Sequence, residues 1–256
     1  MENIQAVAFF DLDGTLLDAH SQITPEITNA ITRLKENQVL PLIATGRTLV
    51  EIKPIMQASG IDSAIVMNGQ FIQVAGEKIY SDEFSLEECQ KMSQHASLMG
   101  HELAFYNDQH IWCSGHSEIL KNAYAYIHSD VPEIDPSFAD KTVNMMLVLS
   151  EDGDEHYLEH FPEMTFYRNG PYSIDTVRKG VSKGSGVKNL LNTLVLPKVP
   201  TYAFGDGIND LALFDACQHK IAMGNARIEL KERSSYVTKK NTEGGIVHAL
   251  QHFDLI

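Results

Sequence analysis

The run AVAFF at residues 6–10 is apolar without alternation, and it stops abruptly at Asp11-Leu12-Asp13. An unbroken apolar strand of this kind is buried on both faces, which places it in the middle of a parallel sheet covered by helices. Two carboxylates one residue apart repel, so a site that keeps both near neutral pH supplies a cation or leaves one protonated. One short stretch therefore constrains both the fold and the place where chemistry would occur.

Around that strand the chain alternates. PEITNAITRLKEN spaces Ile27, Ile31 and Leu34 along one helical face, with Thr24 as N-cap and Pro25 at the first helical position. VLPLIATGR, residues 39–47, reads as a second strand ending in polar groups. A helix is expected over residues 48–59, kinked or begun at Pro54 and stopped by Gly60, and AIVMNG is a third strand-like run. This β-α-β-α-β order with short links predicts a parallel sheet with helices on its faces.

The pattern then changes. Residues 83–181 read as two hairpin-like strand pairs and two helices, an α+β module, and the α/β alternation returns with KGSGVKNLLNTL, TYAFGD, NDLALFDAC and KIAMGN. The expected architecture is a doubly wound, Rossmann-like α/β core built from residues 1–82 and 182–256, with an inserted α+β cap domain at 83–181. A module of that length is expected to close over a site and select the substrate. Arg168, Tyr167, Asn169 and Tyr172 are its candidate contacts to a leaving group.

Composition narrows the partners. Thirty-four acidic against 20 basic residues leave a net charge of -14, which argues against nucleic acid or an anionic membrane surface. Cys89, Cys113 and Cys217 have neither disulfide-framework nor zinc-site spacing, and the N-terminal run is too short for a signal peptide or a membrane span. The expectation is a cytoplasmic protein with a small-molecule substrate and no obligate protein partner.

Three apolar runs end in polar groups, at Asp11, Thr45 and Asp206, and in an open α/β sheet such strand ends converge on one crevice. Asp11, Asp13 and Asp206, with Asp210 behind them, are hard oxygen ligands without histidine or cysteine, a set that selects Mg²⁺. Thr45 and Asn209 add neutral hydrogen-bonding groups, and Lys183 opens a glycine-rich helix start that favours an anion. Together these describe a phosphate site. One aspartate can attack phosphorus while the other protonates the leaving oxygen and later deprotonates water.

Asp11-Leu12-Asp13-Gly14-Thr15, Thr45-Gly46-Arg47, Ser182-Lys183-Gly184 and Gly205-Asp206-Gly207-Ile208-Asn209-Asp210 follow one another in the order of the four motifs of the haloacid dehalogenase-like hydrolases. Over nearly the whole chain the sequence resembles the Cof-type sugar-phosphate phosphatases with a C2-type cap. The resemblance implies Mg²⁺-dependent hydrolysis of a small phosphorylated metabolite through an aspartyl phosphate on Asp11, with Asp13 as acid and base. It implies Mg²⁺ held by Asp11, by Asp13 through its carbonyl, and by Asp206. Phosphate would be held by the Leu12 amide, Thr45, Gly46, Lys183 and Asn209. Asn68-Gly69 matches the family's dipeptide after the third strand, whereas Gln70 and Cys217 stand where smaller residues are usual.

Rival readings make definite claims. A phosphomutase or phosphotransferase on the same core would differ only in its acceptor. A signalling receiver uses similar groups but is about half this length. Gly180-Val181-Ser182-Lys183-Gly184 matches the nucleophile elbow of serine hydrolases, with Asp206 and His219 or His248 following in order, yet Arg178 and Lys179 stand where a buried strand should run. Arg47 is expected to pair with a surface acid, and His156 and His160 to lie on a solvated helix face.

Overall fold

The computed structural model describes residues 4–127, 129–135, 137, 141–168, 170–194 and 199–256. They fall into two compact units, one of Met1–Arg47, Glu51–Tyr80 and Ser182–Ile256, the other of Thr48–Val50 and Ser81–Val181. The chain begins with β1 (Ala6–Phe10), α1 (Pro25–Glu36), β2 (Val39–Ala44), α2 (Leu49–Ser59), β3 (Ala64–Val66), β4 (Phe71–Val74) and β5 (Glu77–Ser81). It continues through α3 (Leu86–Leu98), β6 (Glu102–Tyr106), β7 (Ile111–Cys113), α4 (Glu118–Tyr126), β8 (Glu133–Ile134), β9 (Met145–Leu149), α5 (Asp154–His160), β10 (Met164–Arg168) and β11 (Ser173–Arg178). It ends with α6 (Lys183–Thr193), β12 (Thr201–Gly205), α7 (Leu211–Ala216), β13 (His219–Ala222), α8 (Ile228–Arg233), β14 (Tyr236–Val237) and α9 (Gly245–His252).

The first unit is built on a sheet ordered β14-β13-β12-β1-β2-β3-β4-β5. From β14 to β3 the neighbours are parallel, and β4 is antiparallel to β3. The chain runs outward from β1 through β2 and β3, then returns to the other side of β1 through β12, β13 and β14. The strand order therefore reverses between β1 and β12, and a ligand crevice is expected beyond the carboxyl ends there. Val7 to Phe10 are fully buried, as an unbroken apolar strand requires, and Phe10 stacks on Phe204 of β12 at 4.7 Å between ring centroids.

Local signals act where the sequence puts them. The Thr24 hydroxyl accepts from Ile27 N at the start of α1, with Pro25 in the first turn. Helix α2 starts at Leu49 and runs through Pro54, and Gly60, at φ +76°, ends it by donating to Met56 O. The hairpin of β4 and β5 is not anticipated by the sequence pattern. It turns through Ala75 and Gly76, both at positive φ, and Ala-Gly lacks the Asn-Gly or Asp-Gly composition that announces such a turn.

The second unit carries a sheet ordered β10-β11-β9-β6-β7-β8. Met92 of α3 and Tyr157 of α5 share a core with Phe105, Trp112, Met146 and Ile174 from the strands. Its described residues form three helices rather than the expected two. The additional one, α5, buries only Tyr157 and leaves His156 and His160 exposed, on the solvated helix face expected of them. No helix among the described residues is long and apolar enough to cross a membrane.

Candidate active site

Strand register assembles the site before any side chain is considered. Phe10 lies opposite Phe204 on β12 and opposite Ile43 on β2, so the next residue, Asp11, emerges beside the ends that carry Asp206 and Thr45. Its backbone N–H continues the ladder by donating to Phe204 O at 3.0 Å. The polypeptide then makes a wide turn, with Leu16 N donating to Asp11 O and Leu17 N to Leu12 O. Gly14 sits at φ +75°, and a Cβ there would come within 2.3 Å of the Asp206 carboxylate. Only glycine lets this turn lie against Asp206.

Lys183, in the first turn of α6, is 1% exposed, and its ammonium donates to Asp11 Oδ1 at 2.6 Å and to Asp210 Oδ1 at 2.8 Å. Asp210 is fully buried, and its other oxygen accepts from the backbone N–H groups of Asp206 and Gly207. The expected glycine-rich start of α6 has a packing cause. A Cβ on Gly184 would lie 2.0 Å from Ala212 O, and one on Gly186 would lie 2.6 Å from Ile65. These glycines let α6 sink against α7 and β3, which brings Lys183 down to the carboxylates. Gly69 does the same from the other side, since a Cβ there would meet Ser182 O at 2.3 Å.

Asp11, Asp206 and Asp210 each offer a carboxylate oxygen within 4.8 Å of the others. Against three carboxylates stands one ammonium, so the fully ionised cluster has a net charge of about -2 in a buried place. Burial, with Asp210 beside it, pushes Asp11 up to about 8, and burial together with Asp210 pushes Asp206 up to about 6. Burial acts to lower the pKa of Lys183, but Asp11 and Asp210 outweigh it and hold the ammonium above the ordinary lysine value. An all-oxygen, electron-rich set of this kind fits a hard divalent cation such as Mg²⁺.

The remaining predicted residues surround this cluster in different ways. Asp13 is exposed, and both of its oxygens accept from Arg47, at 2.9 Å from Nε and 2.5 Å from Nη2. The surface acid that Arg47 meets is thus the second aspartate of the opening motif. Leu12 and Thr45 are buried, Gly46 is half-buried, and Asn209 is exposed on the turn that leads into α7. Thr45 Oγ1 accepts from Arg47 N, and Thr45 O accepts from Asn68 N, with Asn68 at φ +54°. One residue escaped the sequence reading. Asn225 Nδ2 donates to Gly14 O at 2.8 Å and lies 3.4 Å from Asp206 Oδ2, and its only sequence signal is a Gly-Asn pair after a strand.

Other candidates are engaged elsewhere. Arg168 donates to both carboxylate oxygens of Asp154 and to the carbonyls of Ser150, Asp152 and Pro171, all within the second unit. That is an internal tie rather than a group held open for a leaving group. Tyr167 donates to Val181 O, Tyr172 packs edge-on to Tyr126, and Asn169 lies outside the described residues. Ser182 accepts from Ser185 N as the N-cap of α6. His219 stacks on Tyr202, and His248 Nδ1 faces Thr238 and Tyr236, so among the described residues neither histidine of the elbow reading pairs with Ser182.

Known proteins match this chain over nearly its whole length. A model of the haloacid dehalogenase-like hydrolases matches residues 8–250. The Bacillus subtilis (strain 168) protein called "Putative phosphatase YkrA" is 32% identical over 251 residues, covering 97% of each chain. A crystal structure from Geobacillus kaustophilus HTA426 is similar with a TM-score of 0.91 and 32% identity, over 98% of this chain and 99% of that one. The HAD subclass IIB sugar phosphatase BT4131 follows with a TM-score of 0.83 and 27% identity, over 98% of this chain and all of that one, 100%.

Proposed function

This chain belongs to the haloacid dehalogenase-like hydrolases and is a phosphatase, and we propose that it hydrolyses small phosphate monoesters, sugar phosphates above all, with Mg²⁺ and through an aspartyl phosphate. The observation that carries the reading is the buried Lys183 between Asp11 and Asp210, with Asp206 close by and negative charge in excess. Likeness to a sugar phosphatase supports the substrate class. Three free, buried cysteines support a cytoplasmic setting.

In this mechanism Asp11, Asp206 and the Asp13 carbonyl hold Mg²⁺, with Asp210 fixing the loop behind them. When bound, Mg²⁺ supplies the positive charge that lets an anionic phosphate approach a carboxylate. Lys183, Thr45, Asn209 and the amides of Leu12 and Gly46 receive the phosphate oxygens. Asp11 attacks phosphorus, and the departing ester oxygen takes a proton from Asp13. Water then gives its proton to the Asp13 carboxylate and attacks the aspartyl phosphate, which releases phosphate, frees the Asp11 carboxylate and returns Asp13 to its protonated form. Asp13 must exchange Arg47 for the leaving oxygen, and an exposed ion pair opens at small cost. Substrate selection falls to the second unit.

Rapid quench with an activated aryl phosphate, followed by peptide mass spectrometry, tests the covalent step. The phosphoryl group should be found on Asp11 and should vanish in Asp11→Asn, with turnover lower by about four orders of magnitude or more. A label on Ser182, or undiminished activity in a chelator, would sink the proposal.

A further inference from the structure

We infer that Asn225 and Asn241 form a clasp that positions the catalytic turn and Asp206 for Mg²⁺, an inference that rests on the Mg²⁺ reading above. Asn225 lies in the loop after β13, and Asn241 lies just before α9. Asn225 Nδ2 donates to Gly14 O at 2.8 Å and faces Asp206 Oδ2 at 3.4 Å. Its Oδ1 accepts from Asn241 N at 3.0 Å, and Asn241 Nδ2 donates to Leu17 O at 2.8 Å. The two side chains thus hold the turn at its middle and at its end, and the Asn225 side chain is tied to the Asn241 backbone.

The turn needs such a hold. Asp13, at ψ 120°, and Gly14, at φ +75°, leave helical geometry, so the bonds from Leu16 N and Leu17 N alone do not fix the peptide between them. Gly14 and Asp206 are in contact, and one amide serves both. Asparagine suits the place because it offers donors toward a carbonyl and a carboxylate, and an acceptor toward a backbone N–H. Aspartate would lack the donors and set a second negative charge against Asp206. The main chain braces the same loop, since Met223 N donates to Gly205 O and Arg227 N to Asp206 O, which leaves the amide to orient the Asp206 side chain. Asn225 is exposed, so truncating it opens no core cavity and its effect is on position.

Asn225 is accordingly a positioning residue. Partners that orient metal ligands are commonly worth about 10- to 100-fold in metal affinity or activity. Titration calorimetry of Mg²⁺ alone into wild type, Asn225→Ala and Asn241→Ala is the test, with the melting temperature of each metal-free protein measured alongside. Asn225→Ala should bind Mg²⁺ about tenfold more weakly. Asn241→Ala, which keeps the Asp206 contact, should lose about threefold or less. If Asn225→Ala does not fold, Asn225→Ser is held to the same criterion. Wild-type Mg²⁺ affinity in the Asn225 variant would overturn the clasp, as would a lowered melting temperature with unchanged affinity, the mark of a merely structural tie. A wild type that fails to bind Mg²⁺ would overturn the functional reading as well.

Discussion

Two clusters in this molecule look alike on paper, each a basic residue among aspartates. In the first unit Lys183 is 1% exposed and meets Asp11 and Asp210, while Asp206 has no cation of its own among these contacts. In the second unit the half-buried Arg168 meets the single carboxylate of Asp154, and its other donors end on backbone carbonyls. One cluster is buried and has surplus negative charge, and the other is wetter and balanced. A reactive site is recognisable by charge that its own side chains leave uncompensated under burial, whereas a balanced cluster has done its work by holding chain segments together.

The largest expected difference is in what each cation's loss does. Lys183→Met leaves Asp11 and Asp210 facing each other without their ammonium, and breaking a buried pair of this kind costs about 3–5 kcal/mol. Chemical denaturation of the metal-free protein should read that loss in the first unit, and phosphatase turnover should fall with it. A Lys183→Met protein as stable as wild type and still active would break the comparison at its centre.

A second test uses the opposite signs of the two regions. Asp11, at about 8, and Asp206, at about 6, are raised above the usual carboxylate value by burial first. Such groups hold protons in the folded state that the unfolded chain has released. Their stability contribution is complete below the ordinary carboxylate value and is lost as pH rises through about 6 and about 8. Asp154 is lowered, chiefly by its hydrogen bond to Arg168, so its contribution is present above the ordinary value and is lost as pH falls. On the proposed mechanism Mg²⁺ must displace the protons of the first cluster. Its affinity should therefore climb between about pH 5 and about pH 8, with protons released on binding, as calorimetry in buffers of different ionisation enthalpy would show. Binding independent of pH over that window would mean that these carboxylates are not the ligands.

The core was legible because its strands carry a strong local code. Val7 to Phe10 could be placed at the sheet centre from their unbroken apolarity, and Asp11, Thr45 and Asp206 could be gathered because strand ends in this architecture share one edge. The depth of Lys183 was not legible. It depends on Gly184 and Gly186 meeting Ala212 and Ile65, contacts between segments far apart in sequence. Asn225 was missed for the same reason, since its partners Gly14 and Leu17's neighbour Asn241 come from other parts of the chain. The β4–β5 hairpin was missed because Ala75-Gly76 is a weak local signal.

The smallest effect expected is at Arg168. Its motif-free surroundings and basic side chain make it a natural candidate for gripping a leaving group, and such a residue would help bulky substrates more than small ones. Its guanidinium, however, is already engaged by Asp154 and by the carbonyls of Ser150, Asp152 and Pro171. Arg168→Ala should therefore cost about 1 kcal/mol or less of stability, because the pair is partly exposed and screened. It should also lower kcat/KM equally for a sugar phosphate and for a small aryl phosphate. Asp154→Asn should reproduce the stability loss without moving the substrate ratio, since it removes the same tie from the other side. A loss confined to the sugar phosphate in Arg168→Ala, and absent in Asp154→Asn, would show that Arg168 leaves Asp154 during turnover and would move it from the balanced cluster to the reactive one.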